Sequence, residues 1–436
     1  MSKTYSKDCF DRFGDDLYEE LLPFISLENR LLRQRVSKRF RRLSNYAQKV
    51  LNIDRELQQK CRKNSDVLKT IVNSCSQISH IYSDWIKFVA LTDAAIDLVI
   101  DYCPHLIYIT IDFKDNTDDA IHRFFSRFGP QLKTIRFDCN DRQMDVIMPW
   151  VRTCGQLTQY RAENDELSQH SLSMLTESPI AFKRLKSLHL VIRCDDRFGR
   201  SVTDLDAFNM FCRYYGQTVT AIELRIDGPK PISIQRLANG LSRLRTLTAL
   251  RLRYCHNCGE ELLSLLTQIG GKCHGVKYLR IHLPYFSIEL DVIHAINTSF
   301  PQLNRLKFES NGDQYVKITS EWLSALKRLT RLEFYGFRFG DDFFADISQH
   351  IPRLHHLDLH LAAITDQALD SLSRLRRLRY FDSAGRFEGT DEGIAPLLQM
   401  PDIYHLHIQG STQTTRDSAP VQFTLTHGWG ESVEGW

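Results

Sequence analysis

Apolar residues recur along this chain at positions 1, 4 and usually 6 of a short strand-like stretch. The first positions are Leu106, Leu132, Leu157, Leu185, Val219, Leu247, Val276, Leu303, Leu329, Leu354, Leu378 and Ile403, separated by 24 to 34 residues. Between these stretches the apolar period becomes that of a helix, as in Ile234, Leu237, Leu241 and Leu244 before Leu247, or Ala368, Leu369, Leu372 and Leu375 before Leu378. Each unit is thus one strand and one helix. A single unit cannot bury both its strand face and its helix stripe, so neighbours must stack and share one continuous core. The pattern predicts an α/β solenoid whose parallel strands, about 4.8 Å apart, line the concave side.

Ile78 with Ile81, and Val50 with Ile53, continue the series upstream at intervals of 28 residues. The array therefore spans residues 49–410, with about 12 to 14 repeats. Pro104, Pro130, Pro301, Pro352 and Pro401 each stand two residues before an anchor, where the missing N–H ends the preceding helix. Cys75, Cys103, Cys154 and Cys273 each stand three residues before an anchor, in a place that elsewhere holds Phe182, Leu244, Phe300 or Leu375. That place calls for a modest buried apolar group, and cysteine is one. The period lies in the leucine-rich-repeat range, and the units resemble the cysteine-containing repeats of F-box substrate receptors. The nearest unit to that pattern is LHHLDLHLAAITDQALDSLSRLRRL, Leu354 to Leu378, with Ile364-Thr365-Asp366 after its strand. The resemblance implies a leucine-rich-repeat horseshoe. The unit from Leu185 to Val219 is longer, and its loop, Cys194 to Thr203, is expected to project from the solenoid.

Ahead of the repeats, Arg12 to Leu43 breaks into three short helical stretches capped by Asp15 or Asp16, Ser26 and Ser37. Leu17, Leu21, Leu22 and Ile25 form one apolar stripe, Leu31, Leu32 and Val36 a second, Phe40 and Leu43 a third. The order Leu17, Glu20-Leu21-Leu22, then Val36-Ser37-Lys38-Arg39-Phe40 resembles the F-box, with Tyr18 where that family usually has proline. Residues 8–48 are thus expected to form a three-helix motif. The resemblance implies docking on the Skp adaptor of a cullin-based ubiquitin ligase through Leu17, Leu21, Leu22, Ile25, Val36 and Phe40, with the repeats selecting a protein substrate. Read without the resemblance, the same helices cap the open end of the solenoid.

Composition narrows the function. The formal charge is +3, from 56 basic and 53 acidic residues, which gives no reason to expect a nucleic-acid or membrane partner from bulk charge. Met1 to Phe10 lacks the apolar core of a signal peptide, no apolar run approaches the roughly 20 residues of a membrane span, and cytoplasm or nucleus is expected. The 11 cysteines, an odd number spread along the chain, are expected to be reduced thiols. Lys38, Arg39, Arg41 and Arg42 form a basic cluster that reads as a solvated helix face. After residue 410 a polar tail runs through Ser411 to Ala419, followed by the alternating Val421, Phe423 and Leu425, a candidate cap, and Gly428 to Trp436.

No hydrolase or phosphate-loop motif occurs, so the chain is expected to be non-catalytic and to need no cofactor. Cys255, Cys258, Cys273 and His274 could be written as a zinc set, but strand position accounts for Cys255 and the pre-anchor place for Cys273, so no metal is expected. Alternation sends side chains at anchor plus 2, 4 and 6 to the concave side. There Arg225, Arg251, Arg253, Arg280, His282, Arg305, Lys307 and Arg331 form a basic band, followed by Glu333, Asp358 and Asp382 of opposite sign. Tyr278, Tyr335 and Tyr380 add aromatic bodies, and His356 and His360 share the face with Asp358. This band is the expected substrate site, matched to an acidic or phosphorylated segment near Arg251, Arg280 and Lys307. Two functions follow: substrate receptor of a ligase of the SCF type, or a free-standing repeat scaffold that binds its partner without an adaptor.

Overall fold

The computed structural model describes Leu17, Leu21, Leu22, Arg30 and residues 38–63, 65–82, 89–162, 172–177, 179, 181–193, 203–227, 233–255, 259–284, 290–315, 319–410 and 421–426. The chain divides into two compact units, Met1–Leu185 and Lys186–Trp436. Both are leucine-rich-repeat solenoids, in which strands alternate with helices and pair side by side.

In the first unit the strands are β1 (Val50–Asn52), β2 (His80–Tyr82), β3 (Val89–Ala90), β4 (Tyr108–Asp112), β5 (Thr134–Asp138) and β6 (Gln159–Ala162). β1 pairs with β2, β2 and β3 with β4, β4 with β5 and β5 with β6, all parallel. The second unit holds β7 (Ser187–Arg193), β8 (Ala221–Asp227), β9 (Ala249–Tyr254), β10 (Tyr278–Leu283), β11 (Arg305–Tyr315), β12 (Arg331–Phe339), β13 (His356–Ile364), β14 (Tyr380–Phe387), β15 (His405–Gly410) and β16 (Val421–Thr426). Each of β7 to β14 is parallel to the strand that follows it, and β16 alone turns back, antiparallel to β15.

The repeat period is a burial period. Every anchor from Leu106 to Ile403 is buried, as are Cys75, Cys103, Cys154 and Cys273 at the pre-anchor place. Burial pushes the Cys103 and Cys154 thiols up to about 12 and the Cys75 and Cys273 thiols up to about 11, so these sulfurs pack as apolar groups. Aromatic rings thicken the core in both units, with Phe113, Phe124, Phe125 and Phe137 in the first and a stacked Phe308–Phe334 pair, 5.4 Å apart, in the second.

One register differs from the expectation. Leu51, not Ile53, pairs with Ile81, so the anchor place of β1 falls on Gln48 and Val50 is 38% exposed. The Gln48 amide donates to the Val50 carbonyl, which lets a polar side chain occupy a buried anchor position.

The strands are joined by a recurring backbone fork, in which two successive N–H groups at the start of a strand donate to one carbonyl of the strand before. Lys133 and Thr134 donate to Ile107, Thr248 and Ala249 to Thr220, Thr330 and Arg331 to Asn304, and Arg379 and Tyr380 to His355. On the helix side, the Thr-Asp step is a relay of caps. Thr365 caps Asp366–Ser373 by accepting from Ala368 N–H at 3.2 Å and donates to Asp341 at 2.6 Å; Asp366 in turn accepts from Thr390, which caps Asp391–Leu398. Among the described residues no helix is long and apolar enough to cross a membrane.

Candidate functional site

Two surfaces stand out, one in each unit. In the first, Leu22 (1% exposed) packs with Phe40 and Leu43 in a small apolar core, against which Ala47 of the helix Lys38–Ala47 also lies. Leu17 and Leu21 instead stay 40% and 37% exposed. Of the other residues expected here, Asp15, Asp16, Tyr18, Ile25, Ser26, Leu31, Leu32, Val36 and Ser37 lie outside the described residues. Lys38, Arg41 and Arg42 are exposed.

In the second unit the open face of the sheet, turned away from the helices, carries rows of side chains in register. The middle row runs His189, Glu223, Arg251, Arg280, Lys307, Glu333, Asp358, Asp382 and His407 across β7 to β15. A flanking row includes Tyr278, Arg305, Arg331, His356, Tyr380 and His405, and the other includes Arg225, Arg253, His282, Glu309 and Tyr335. All eight basic-band residues anticipated from alternation are thus on one face.

They do not form a field of free positive charge. Glu309 Oε2 accepts from Arg280 Nη2 at 2.7 Å and Nε at 2.9 Å, and its other oxygen pairs with Lys307 at 3.0 Å. Lys307 also meets Glu333 at 3.0 Å, and Arg331 Nε donates to Glu333. Arg251 lies 3.6 Å from Glu223 and 5.1 Å from the Tyr278 ring centre; Arg225 lies 3.5 Å from Asp227. Burial works against ionisation of Glu309 and Glu333, yet the cations beside them prevail and hold both carboxyls below the usual glutamate value. Glu223, Asp227 and Glu309 were not counted in the expected band, although Glu223 and Glu309 occupy its anchor plus 4 and plus 6 positions. Arg253 is exposed and has no ion-pair partner among the described residues. Beside it His282, whose Nδ1 is buried without a hydrogen-bond partner, is held below the usual histidine value by burial and by Arg253.

Further along, the sign reverses. Tyr335 donates to Asp358, while Asp382 takes contacts from Tyr380 Oη at 3.3 Å, His405 Nε2 at 3.2 Å and His407 Nδ1 at 3.2 Å. His356, Tyr380 and His405 form a continuous ring stack, with centroids 3.9 and 4.1 Å apart. His360 stacks on Tyr335 at 5.8 Å, and Lys307 Nζ lies 4.3 Å from the centre of the same Tyr335 ring. His356 is 7% exposed with neither ring nitrogen hydrogen-bonded; burial first, then Arg331, pushes it down to about 3. Burial, with Asp382 and Glu333 adding to it against the Tyr335 hydrogen bond, pushes Asp358 up to about 6.

Of the zinc set weighed from sequence, Cys258 lies outside the described residues, Cys273 donates weakly to the Leu241 carbonyl at 3.6 Å, and Cys255 accepts from Arg225 Nε at 3.3 Å. No group of three or more His, Cys, Asp or Glu able to hold a metal occurs among the described residues.

No known protein-family profile matches the chain. A Caenorhabditis elegans protein named "Putative RNA-binding protein EEED8.10" is 21% identical over 417 residues, covering 93% of this chain and 50% of that protein, so the chain spans about half that relative's length. Among solved structures, Rad7 in the yeast Rad7–Elc1 complex matches with a TM-score of 0.50 at 13% identity, over 82% of this chain and 89% of its own. The leucine-rich repeat-containing protein LegL7 of Legionella pneumophila matches with a TM-score of 0.44 at 12% identity, over 64% of this chain and 93% of LegL7. The Rad7 likeness speaks to the fold alone.

Proposed function

We propose that this chain is the substrate-recognition subunit of an SCF-type ubiquitin ligase. Its N-terminal segment docks a Skp-type adaptor, and through it a cullin, while the open face of the repeats holds a protein substrate; the chain itself performs no chemistry. The observation that carries this reading is the split among the N-terminal leucines. Leu22 is spent on the core with Phe40 and Leu43, whereas Leu17 and Leu21, one helical turn apart in sequence, keep their side chains exposed. A segment that only capped the solenoid gains nothing from two exposed leucines, and a docking helix needs them. Rad7, similar in fold, was crystallised in a complex with Elc1, a precedent for a repeat protein of this architecture working with a bound partner.

The test is co-purification of the full chain with a Skp-type adaptor, wild type against Leu17→Ala/Leu21→Ala. Because both side chains are exposed, the variant keeps its fold, and circular dichroism checks this. Capture by the wild type and loss by the variant support the reading. Absence of capture by the wild type leaves a free-standing scaffold that binds its partner without an adaptor.

The name of the nematode relative favours a second reading, RNA on the repeat face. RNA phosphates call for cations free to replace counterions. Arg280, Lys307 and Arg331 are already engaged by Glu309 and Glu333, which favours a protein partner with its own mixed charges. Binding of labelled single-stranded RNA that falls steeply with salt decides for the second reading.

A further inference from the structure

We propose that the open face of β13 and β14 seats an arginine side chain of the bound protein, held between the carboxylates of Asp358 and Asp382. The inference rests on the reading that this face binds protein, and it assigns the chemistry of one contact.

On the strands before β13, each open-face carboxylate that is named above has a cation from this chain against it: Glu223 has Arg251, Asp227 has Arg225, Glu309 has Arg280 and Lys307, and Glu333 has Lys307 and Arg331. At β13 and β14 the row continues with Asp358 and Asp382 on directly paired positions. No described Lys or Arg lies at ion-pair distance from either one, and Lys307, paired with Glu309 and Glu333, acts on Asp358 only from further off. Asp358 has only the Tyr335 hydroxyl, on Oδ2, and Asp382 has only Tyr380, His405 and His407. Two carboxylates on neighbouring strands thus face each other without a Lys or Arg paired to either, and burial first, with Asp382 and Glu333 adding to it, makes Asp358 hold its proton more tightly.

An independent observation points the same way. His356, on the same face two residues before Asp358, is more than nine-tenths buried, and both of its ring nitrogens lack a hydrogen-bond partner. Its ring is fixed against Tyr380, whose hydroxyl reaches Asp382, so the orphaned nitrogens belong to this cluster. A buried polar group without a partner is costly unless something arrives to satisfy it. The cluster therefore offers acceptors in excess: the free Asp358 oxygen, the Asp382 carboxylate and the neutral His356 ring nitrogen. A guanidinium brings five donors in a planar fork and no acceptor, which suits that excess. A phosphate or acidic side chain would meet two carboxylates and is excluded from this end of the face.

The probe is a fluorescein-labelled, end-blocked nonapeptide of alternating glycine and arginine, with glutamate replacing arginine in the comparison peptide. Binding to the full chain is followed by anisotropy at pH 7.5 and low salt. The expected result is saturable binding of the arginine peptide, weakened at least tenfold in Asp358→Asn/Asp382→Asn and unchanged in Asp370→Asn, an exposed carboxylate of the helix side. The amide substitutions keep the size and an acceptor oxygen, and the melting temperature confirms that the variant is folded. Absence of binding, or equal binding by the double variant, overturns the proposal, as does equal binding of the glutamate peptide. The adaptor capture described above does not use these residues, so loss of one result leaves the other standing.

Discussion

Glu309 holds two cations of the open face at once, which makes its removal informative. Glu309→Gln deletes the charge that Arg280 meets at 2.7 Å and 2.9 Å and that Lys307 meets at 3.0 Å. Lys307 keeps Glu333 at 3.0 Å, but Arg280 retains no carboxylate at ion-pair distance among the described residues. Breaking a buried, hydrogen-bonded charge pair costs roughly 2–5 kcal/mol. The Arg280 side chain is 34% exposed, so water screens part of that loss, and about 1–3 kcal/mol remains. At roughly 2–4 °C per kcal/mol for a unit of this size, the melting temperature falls by about 2–12 °C. A cycle with Arg280→Met isolates the pair, with an expected coupling of about 1–2 kcal/mol. Both glutamates are held below their usual value, so their stabilisation is present above the unfolded value near ~4.3 and is lost as pH falls through the lower folded value. The wild-type and variant curves therefore converge in acid. The same substitution uncovers Arg280, so an acidic peptide binds the variant more tightly than the wild type. Additive effects of Glu309→Gln and Arg280→Met, or a stability gap that persists at pH 3, refute the reasoning.

Leu303→Ala, at a fully buried anchor, is expected to cost about 2–5 kcal/mol in chemical denaturation, whereas Val50→Ala, on the exposed side of β1, changes stability by less than about 0.5 kcal/mol. Asp358, pushed up to about 6, binds its proton more tightly folded than unfolded, so it costs stability as pH rises from about 4 through 6. Asp358→Asn thus raises the melting temperature at pH 7.5 and leaves it unchanged at pH 4. His356, pushed down to about 3, has the opposite slope: its contribution is full above the unfolded value near ~6.5 and is lost as pH falls toward 3. His356→Phe keeps the stack on Tyr380 and flattens that slope in a pH series of melting curves.

The repeat was legible because its signal is spaced burial, and burial at an anchor tolerates only a few residue types. Leu303 or Leu378 announces itself; Gln48, a polar residue whose amide nitrogen is held by the Val50 carbonyl, does not, and the apolar pattern therefore places β1 two residues out of register. The face of each charged side chain was also legible, since alternation alone sends Arg280 and Lys307 to the open side. What alternation does not convey is who meets whom. Glu309 sits at a place the same rule identifies, yet its significance appears only when β10 and β11 are laid in register and Arg280 is found against it. The His356–Tyr380–His405 stack is likewise a property of three strands, made by residues 24 and 25 positions apart. At the N-terminus the apolar stripe predicted Leu17, Leu21 and Leu22 as one set, and packing divides them because adjacent residues point to different sides of a helix.

The fork that ties each strand to the one before is made by main-chain N–H groups, with a threonine hydroxyl added on the same carbonyl at Thr248 and Thr330, so the junction depends little on which repeat it joins. Excising Leu303 to Arg328 would let Thr330 and Arg331 take the Lys277 carbonyl that Asn304 and Arg305 use now. The solenoid would close again one storey shorter, with Arg280 now neighbouring Glu333. Length in such a chain can drift by whole storeys, through duplication or exon loss, and every step re-deals the adjacency of charges on the open face while the scaffold survives. New recognition surfaces then arise by shuffling neighbours, without a single point mutation.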